Sequence, residues 1–179
     1  EIVEHIFNNA LENQHKFTNN IDFHLSPASM FNGDMCLVGQ SPIGSLYCML
    51  GDFTGHGLAA AVGALPASKV FYTMVNKGMA VSDIAAEVNA VLVQLLPGHM
   101  FCAATIIEVD SSMRLALATD GIIETTNADD EFFSEQRFIK ALASKPQVSC
   151  KDVINQVTKF AHGSKQQDDL SLVLFNCME

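Results

Sequence analysis

The chain has 179 residues, a length that fits one domain of roughly 100–200 residues with a real hydrophobic core. Apolar residues make up 49% and charged residues only 17%, which excludes long disordered tails and coiled coils. Twenty acidic against ten basic residues give a net charge of -10, an imbalance that argues against nucleic acid or an anionic membrane surface as the main partner and leaves room for an acidic site that holds cations.

No apolar run reaches the ~18 residues of a membrane span and no basic signal-peptide start is present, so a cytoplasmic protein is expected. The five cysteines, Cys36, Cys48, Cys102, Cys150 and Cys177, include no C-x-x-C pair and read as reduced, mostly buried thiols. The chain starts at Glu1, which reads as an excised piece of a longer protein.

Ile2, Val3, Ile6, Phe7, Ala10 and Leu11 recur at helical spacing, so residues 2–15 read as an amphipathic docking or linker helix, with a domain boundary at residue 20. From Ile21 the pattern I-D-F-H-L alternates. Residues 34–51 read as a β-hairpin turning at Pro42 and Gly44, and F-T-G-H-G then leads into an Ala-rich helix that Pro66 kinks or divides. Ser82 caps a second helix whose stripe runs Ile84, Ala85, Val88, Val91, Leu92 and Leu95. Strands follow at 101–109 and 115–119, then helices near 134–144 and 150–162. These start at Ser134 and Ser149, the latter with Asp152 in a capping box, and Gly163 stops the last. The strand L-S-L-V-L-F closes the chain.

Four acidic positions share a context. Asp34 starts a strand, Asp52 and Asp120 end strands, and Asp168-Asp169 heads the last one. Any one alone is ordinary turn chemistry. If the strands bring them within about 4 Å, each like-charged pair costs on the order of 4 kcal/mol at a near-surface dielectric, so a cluster calls for cations. Carboxylate and carbonyl oxygens suit magnesium and manganese.

The segments N-G-D at 32–34, G-D-F-T-G-H-G at 51–57, T-D-G-I-I-E at 119–124 and D-D-L-S-L at 168–172 resemble, in order, the motifs of SpoIIE-type bacterial serine/threonine phosphatases, a branch of the metal-dependent type 2C superfamily. The likeness runs from about residue 26 to residue 176, so 21–179 is expected to be the phosphatase domain. The resemblance implies an α+β fold, a four-layer α-β-β-α sandwich of two mostly antiparallel sheets flanked by helices, with two Mn2+ or Mg2+ ions at one edge. It implies that Asp52 bridges both ions, that the Phe53 carbonyl and Asp34 are further ligands, and that Asp120 and Asp168 hold the second ion. Asp169, the other acid of that final pair, is a further candidate metal ligand. Asp34, Asp52, Asp120 and Asp168 would then be the catalytic set, working through a metal-activated water.

The resemblance also implies a phosphorylated STAS-type anti-sigma-factor antagonist as target, a role as C-terminal effector of a response regulator under an upstream receiver or sensor domain, and a homodimer. The rival reading is a pseudophosphatase that binds its partner without hydrolysis. His56 lies four residues after Asp52 rather than two, and with Gly55 and Gly57 reads as shaping the helix entry. Glu124 reads as a solvated helix-start acid. Two departures stand out. Leu37 occupies the place of a second acid in the family's G-G-D-x-x-D start, which implies fewer carboxylates on that side. Only S-S-M-R separates Asp110 from Leu115, where the family has several dozen residues, so a segment is expected to be missing near Met113 and Arg114.

Overall fold

The computed structural model describes residues 21–26, 33–54, 58–109 and 114–176. The 2–15 helix, His56 with its two glycines, Cys177 and the 110–113 junction lie outside these residues. Six strands and five helices are described: β1 (Ile21–Ser26), β2 (Asp34–Gln40), β3 (Leu46–Phe53), α1 (Leu58–Val75), α2 (Val81–Leu95), β4 (Cys102–Val109), β5 (Arg114–Ala118), α3 (Asp120–Ile123), α4 (Ser134–Leu142), α5 (Cys150–Ala161) and β6 (Leu170–Asn176). They form two three-stranded antiparallel sheets, ordered β2-β3-β4 and β1-β6-β5.

The layering follows from strand alternation, because successive side chains point to opposite faces. On β2 and β3, Met35, Leu37, Tyr47 and Met49 pack under α1 and α2 with Phe71, Val75, Ile84 and Val88. Their alternates Cys36, Val38, Cys48 and Leu50 face the other sheet and meet Val173 and Phe175 of β6. On the far side, Leu172 and Leu174 pack against the helical layer through Val153 and Val157 of α5. Three apolar seams between four layers make the α-β-β-α sandwich that the motifs imply.

Local chemistry sets the element ends. The β2–β3 turn closes with Ser41 N–H donating to Ser45 O (2.9 Å) and Gly44 at φ 98°, a conformation open to glycine. Ser149 caps α5 through the expected box: its side chain accepts from Asp152 N–H, and Asp152 Oδ2 accepts from Ser149 N–H (2.8 Å). The stop of α5 comes one residue early, at His162, which takes the left-handed conformation ahead of Gly163.

Several expectations need correction. Helix α1 runs unbroken through Pro66; the carbonyl a proline leaves without its helical donor is that of Val62, a residue exposed enough for water to serve it. Helix α2 starts at Val81 after Ala80, with no side-chain cap, so Ser82 is inside the first turn, and Leu95 leaves the buried stripe for solvent. Ser134 is the first residue of α4 rather than its cap. Leu37 is fully buried under α1 on the face opposite to Asp34, so an acid there would point away from the carboxylate site. The strands on either side of the 110–113 junction, β4 and β5, each lie at an edge of their sheet.

Candidate metal centre

Four strand ends converge at one end of the sandwich: the start of β2, the end of β3, the end of β5 and the head of β6. Asp34 and Asp52 stand directly opposite each other in the β2–β3 ladder, so their side chains leave the same face. That face looks toward the second sheet. Asp34 is buried, and its Oδ2 accepts a hydrogen bond from Thr119 Oγ1 (2.8 Å) at the end of β5. Thr119 Oγ1 in turn accepts from Ser171 N–H (3.2 Å), and Thr119 N–H donates to Ser171 O (3.1 Å). Thr119 thus locks the β5–β6 ladder and orients the Asp34 carboxylate together.

Asp169 is buried and performs a different task from its neighbour. Its Oδ2 accepts from Gly33 N–H (2.6 Å) and Asp34 N–H (3.4 Å), tying the head of β6 to the start of β2. Asp169 N–H donates to Asp168 Oδ1 (2.8 Å), and Asp168 itself is exposed. Of the pair, Asp168 faces solvent at the site and Asp169 clamps the two sheets. Asp120, also exposed, opens α3, whose next residue lies against the β6 head: a β-carbon on Gly121 would sit 2.1 Å from Asp169 O and 3.4 Å from Asp168 Cβ. Only glycine permits that approach, which brings the start of α3, where Asp120 stands, against the β6 head.

Phe53 buries its ring under α1, where a β-carbon on Gly63 would meet Cε1 at 2.6 Å. Its N–H donates to Gly33 O (3.1 Å), and Thr54 N–H donates to Phe101 O (2.8 Å), toward β4. In a planar trans peptide the Phe53 carbonyl therefore points the other way, toward the β2 side where Asp34 begins.

The electrostatics tie the acids together. Burial first, and then Asp34, Asp120, Asp168 and Asp169 in that order, push Asp52 up to about 7. Burial chiefly pushes Asp34 up to about 6, with Asp169 and Asp168 adding to it and the Ser171 and Thr119 hydroxyls opposing. Five carboxylates from four strand ends therefore share one region, in an all-oxygen donor set that suits a hard divalent ion. Among the described residues no three acidic, histidine or cysteine side chains are drawn close enough to enclose a metal by themselves. The carboxylates fit a cation in charge and donor type, and an ion would have to draw them together.

Glu124 is exposed, as expected of a solvated acid, but it caps the C-terminal end of α3 rather than starting a helix. Thr119 was not anticipated from sequence as part of the site; the T-D-G run carries its signal, a hydroxyl one residue before a strand-end acid.

The Stage II sporulation protein E (SpoIIE) family model matches residues 42–114 and 107–177. The chain belongs to the SpoIIE family. Its fold is that of the type 2C phosphatases: the SiaA-PP2C domain of Pseudomonas aeruginosa superposes with a TM-score of 0.78 at 14% identity, covering 98% of this chain and 93% of that one. The PP2C phosphatase domain of SpoIIE from Bacillus subtilis, solved with a fragment of its regulatory domain, gives 0.65 at 12% identity, covering 87% and 62%. The RsbU and RsbW domains of a Mycobacterium tuberculosis protein give 0.59 at 15% identity, covering 88% and 60%. A search of curated protein sequences returns no match. Among the described residues of this SpoIIE-family domain, no helix is long and apolar enough to cross a membrane.

Proposed function

We propose that this SpoIIE-family domain hydrolyses phosphoserine or phosphothreonine on a regulatory protein, using two Mn2+ or Mg2+ ions held by Asp34, Asp52, Asp120 and Asp168 with the Phe53 carbonyl. The observation that carries this is the Asp34–Asp52 pair, directly opposed across two strands, with acids from two further strand ends acting on Asp52. The bound ions would supply a water acidic enough to attack phosphorus near neutral pH and would neutralise the phosphoryl oxygens. Asp52 would be the shared carboxylate, with Asp34 opposite it in the ladder and Asp120 and Asp168 among the acids that act on it. Thr119 holds the Asp34 carboxylate in one orientation, and Asp169 fixes the backbone from which Asp34 projects. No side-chain nucleophile is required.

The target we infer is a phosphorylated STAS-type anti-sigma-factor antagonist, and the controlling element an upstream receiver or sensor domain, with dimerisation of the chain as a further expectation. These rest on the motif resemblance and on fold likeness to the RsbU and SpoIIE domains. The pseudophosphatase reading draws on the spread of the carboxylates in the described residues; the buried, outward position of Leu37 removes its other support. One experiment separates the two: hydrolysis of p-nitrophenyl phosphate with and without Mn2+, comparing the wild type with Asp52→Ala, together with calorimetric titration of Mn2+. The expected result is Mn2+-dependent turnover and Mn2+ binding, both lost in the variant. Turnover indifferent to Asp52 would remove the mechanism, and Mn2+ binding without turnover would favour the pseudophosphatase.

A further inference from the structure

The carboxylate site opens on one side into a cleft of about 490 Å³, and Gly121 and Asp168 belong to both. The cleft lies between the α3–α4 connection, the C-terminal half of α5 and the loop that leads into β6. Its volume is in the range of about 300–1,000 Å³ usual for ligand clefts, and exceeds what one side chain fills. Buried Val157 and Leu170 give it an apolar base, and Phe132 stands at the rim with 56% of its surface exposed. Asp168 and Glu124 flank the metal end; Lys165 is the only cation among the described residues that line it.

The walls are braced before anything binds. Asn127 Oδ1 accepts from Asp129 N–H (3.0 Å) and Glu131 N–H (2.9 Å), and Arg137 Nη1 donates to Phe132 O (2.9 Å), which fixes the rim that carries Phe132. On the opposite wall, Gln166 Nε2 donates to Ser26 O (2.7 Å) and Asp168 O (2.9 Å), holding the loop before β6 against β1. A single lysine is poor provision for a polyanionic metabolite, whereas an apolar base with an exposed aromatic rim and hydrogen-bonding walls suits extended polypeptide.

We propose that this cleft receives the segment flanking the phosphorylated residue of a protein substrate. An apolar side chain of that segment sits on Val157 and Leu170 beside Phe132, and an acidic neighbour is directed to Lys165. The proposal rests on the reading of the carboxylates as the site of phosphate hydrolysis, since Asp168 is where cleft and site join. Phe132, Lys165 and Ala161, which lines the cleft at the end of α5, are then specificity-determining residues.

The test uses two phosphothreonine peptides that differ only in carrying leucines or alanines at the flanking positions, with p-nitrophenyl phosphate as a substrate too small to reach the cleft. With Mn2+ the wild type should favour the leucine peptide in kcat/KM by about 10-fold, the discrimination an apolar pocket gives, and Ala161→Trp, which fills the cleft, should reduce that preference to about twofold or less. The rate on p-nitrophenyl phosphate should not change. Binding of the same peptides, fluorescently labelled, to Asp52→Asn provides a readout that does not need turnover. If the wild type hydrolyses nothing, the phosphatase reading fails while this binding arm still decides: loss of leucine preference on adding Ala161→Trp supports the cleft, and its retention overturns it. Should Ala161→Trp not fold, the surface changes Phe132→Ala and Lys165→Glu carry the same test, and an unaltered peptide preference in both overturns the proposal.

Discussion

Gly121 is the tightest joint in the site, and replacing it with alanine tests how the two exposed acids are positioned. The added β-carbon would lie 2.1 Å from Asp169 O, against a floor of 3.0 Å that real contacts respect. The clashing atom is a backbone carbonyl oxygen, so no rotamer change relieves it, and the start of α3 must move from the β6 head by roughly 1 Å, in a region packed as densely as protein interiors are. Overpacking of this kind costs about 1–3 kcal/mol, and for a chain of this size each kcal/mol lowers Tm by about 2–4 °C. The same displacement separates Asp120 from Asp168. A shift of about 1 Å at reacting groups costs on the order of 100-fold in rate, so Mn2+-dependent hydrolysis should fall far more than stability alone explains. Urea unfolding, Mn2+ calorimetry and p-nitrophenyl phosphate hydrolysis measure the three effects. Gly98→Ala is the control: a β-carbon there meets nothing within 4 Å, and stability should change by less than about 0.5 kcal/mol. A Gly121→Ala protein with wild-type Tm and Mn2+ affinity would refute the reasoning, because it would show that α3 and β6 part at no cost to the site.

Thr119→Val removes both the donor to Asp34 and the acceptor for Ser171 N–H; it should cost about 1–3 kcal/mol and weaken Mn2+ binding by about 10–100-fold, with Thr119→Ser retaining most of both. In scanning fluorimetry, Mn2+ at about 100 times its Kd should stabilise the wild type by about 2.7 kcal/mol and leave Asp52→Asn unmoved, whereas in EDTA the variant should melt no lower than the wild type, since it removes one of the repelling carboxylates. A Mn2+-induced rise retained in Asp52→Asn would count against the site. At the start of α5, Lys145 (Nζ to Oδ2 2.7 Å) and then Ser149 hold the Asp152 carboxyl well below its usual range. A depressed folded-state pKa contributes stability above the unfolded value of about 3.9 that disappears as pH falls through the folded one, so the Tm gap between wild type and Asp152→Ala should be full at neutral pH and close in acid. A gap that stays constant down to acid pH would show that the carboxylate's charge is not what stabilises the helix start.

What was legible in the sequence, and what was not, divides along the range over which a residue acts. The β2–β3 hairpin, the α5 capping box and the alternation on β6 are set by neighbours a few residues apart, and those patterns were readable directly. The strand-end position of Asp34, Asp52, Asp120 and Asp168 was readable for the same reason. Parity decides Leu37: it lies three residues from Asp34 on one strand, so it must face the other way, into the α1 seam, and the matching of motif letters cannot reveal that until the strand is known to be continuous. The division of labour between Asp168 and Asp169 is further out of reach. It depends on Gly33 N–H, 136 positions away, arriving within 2.6 Å of Asp169 Oδ2, a contact created by docking one sheet on the other. Thr119 acquires its role by the same docking, since its hydroxyl joins Ser171 on its own sheet to Asp34 on the facing one. The proposed ligands are thus local signals, while the residues that aim them are products of the sheet-on-sheet seam. Substitutions at Thr119 and Asp169 should therefore couple to those at Asp34: in a double-mutant cycle, Thr119→Val and Asp34→Asn should be strongly non-additive in Mn2+ affinity, with an interaction energy of about 0.5–3 kcal/mol, and strict additivity would show that Thr119 only holds strands together.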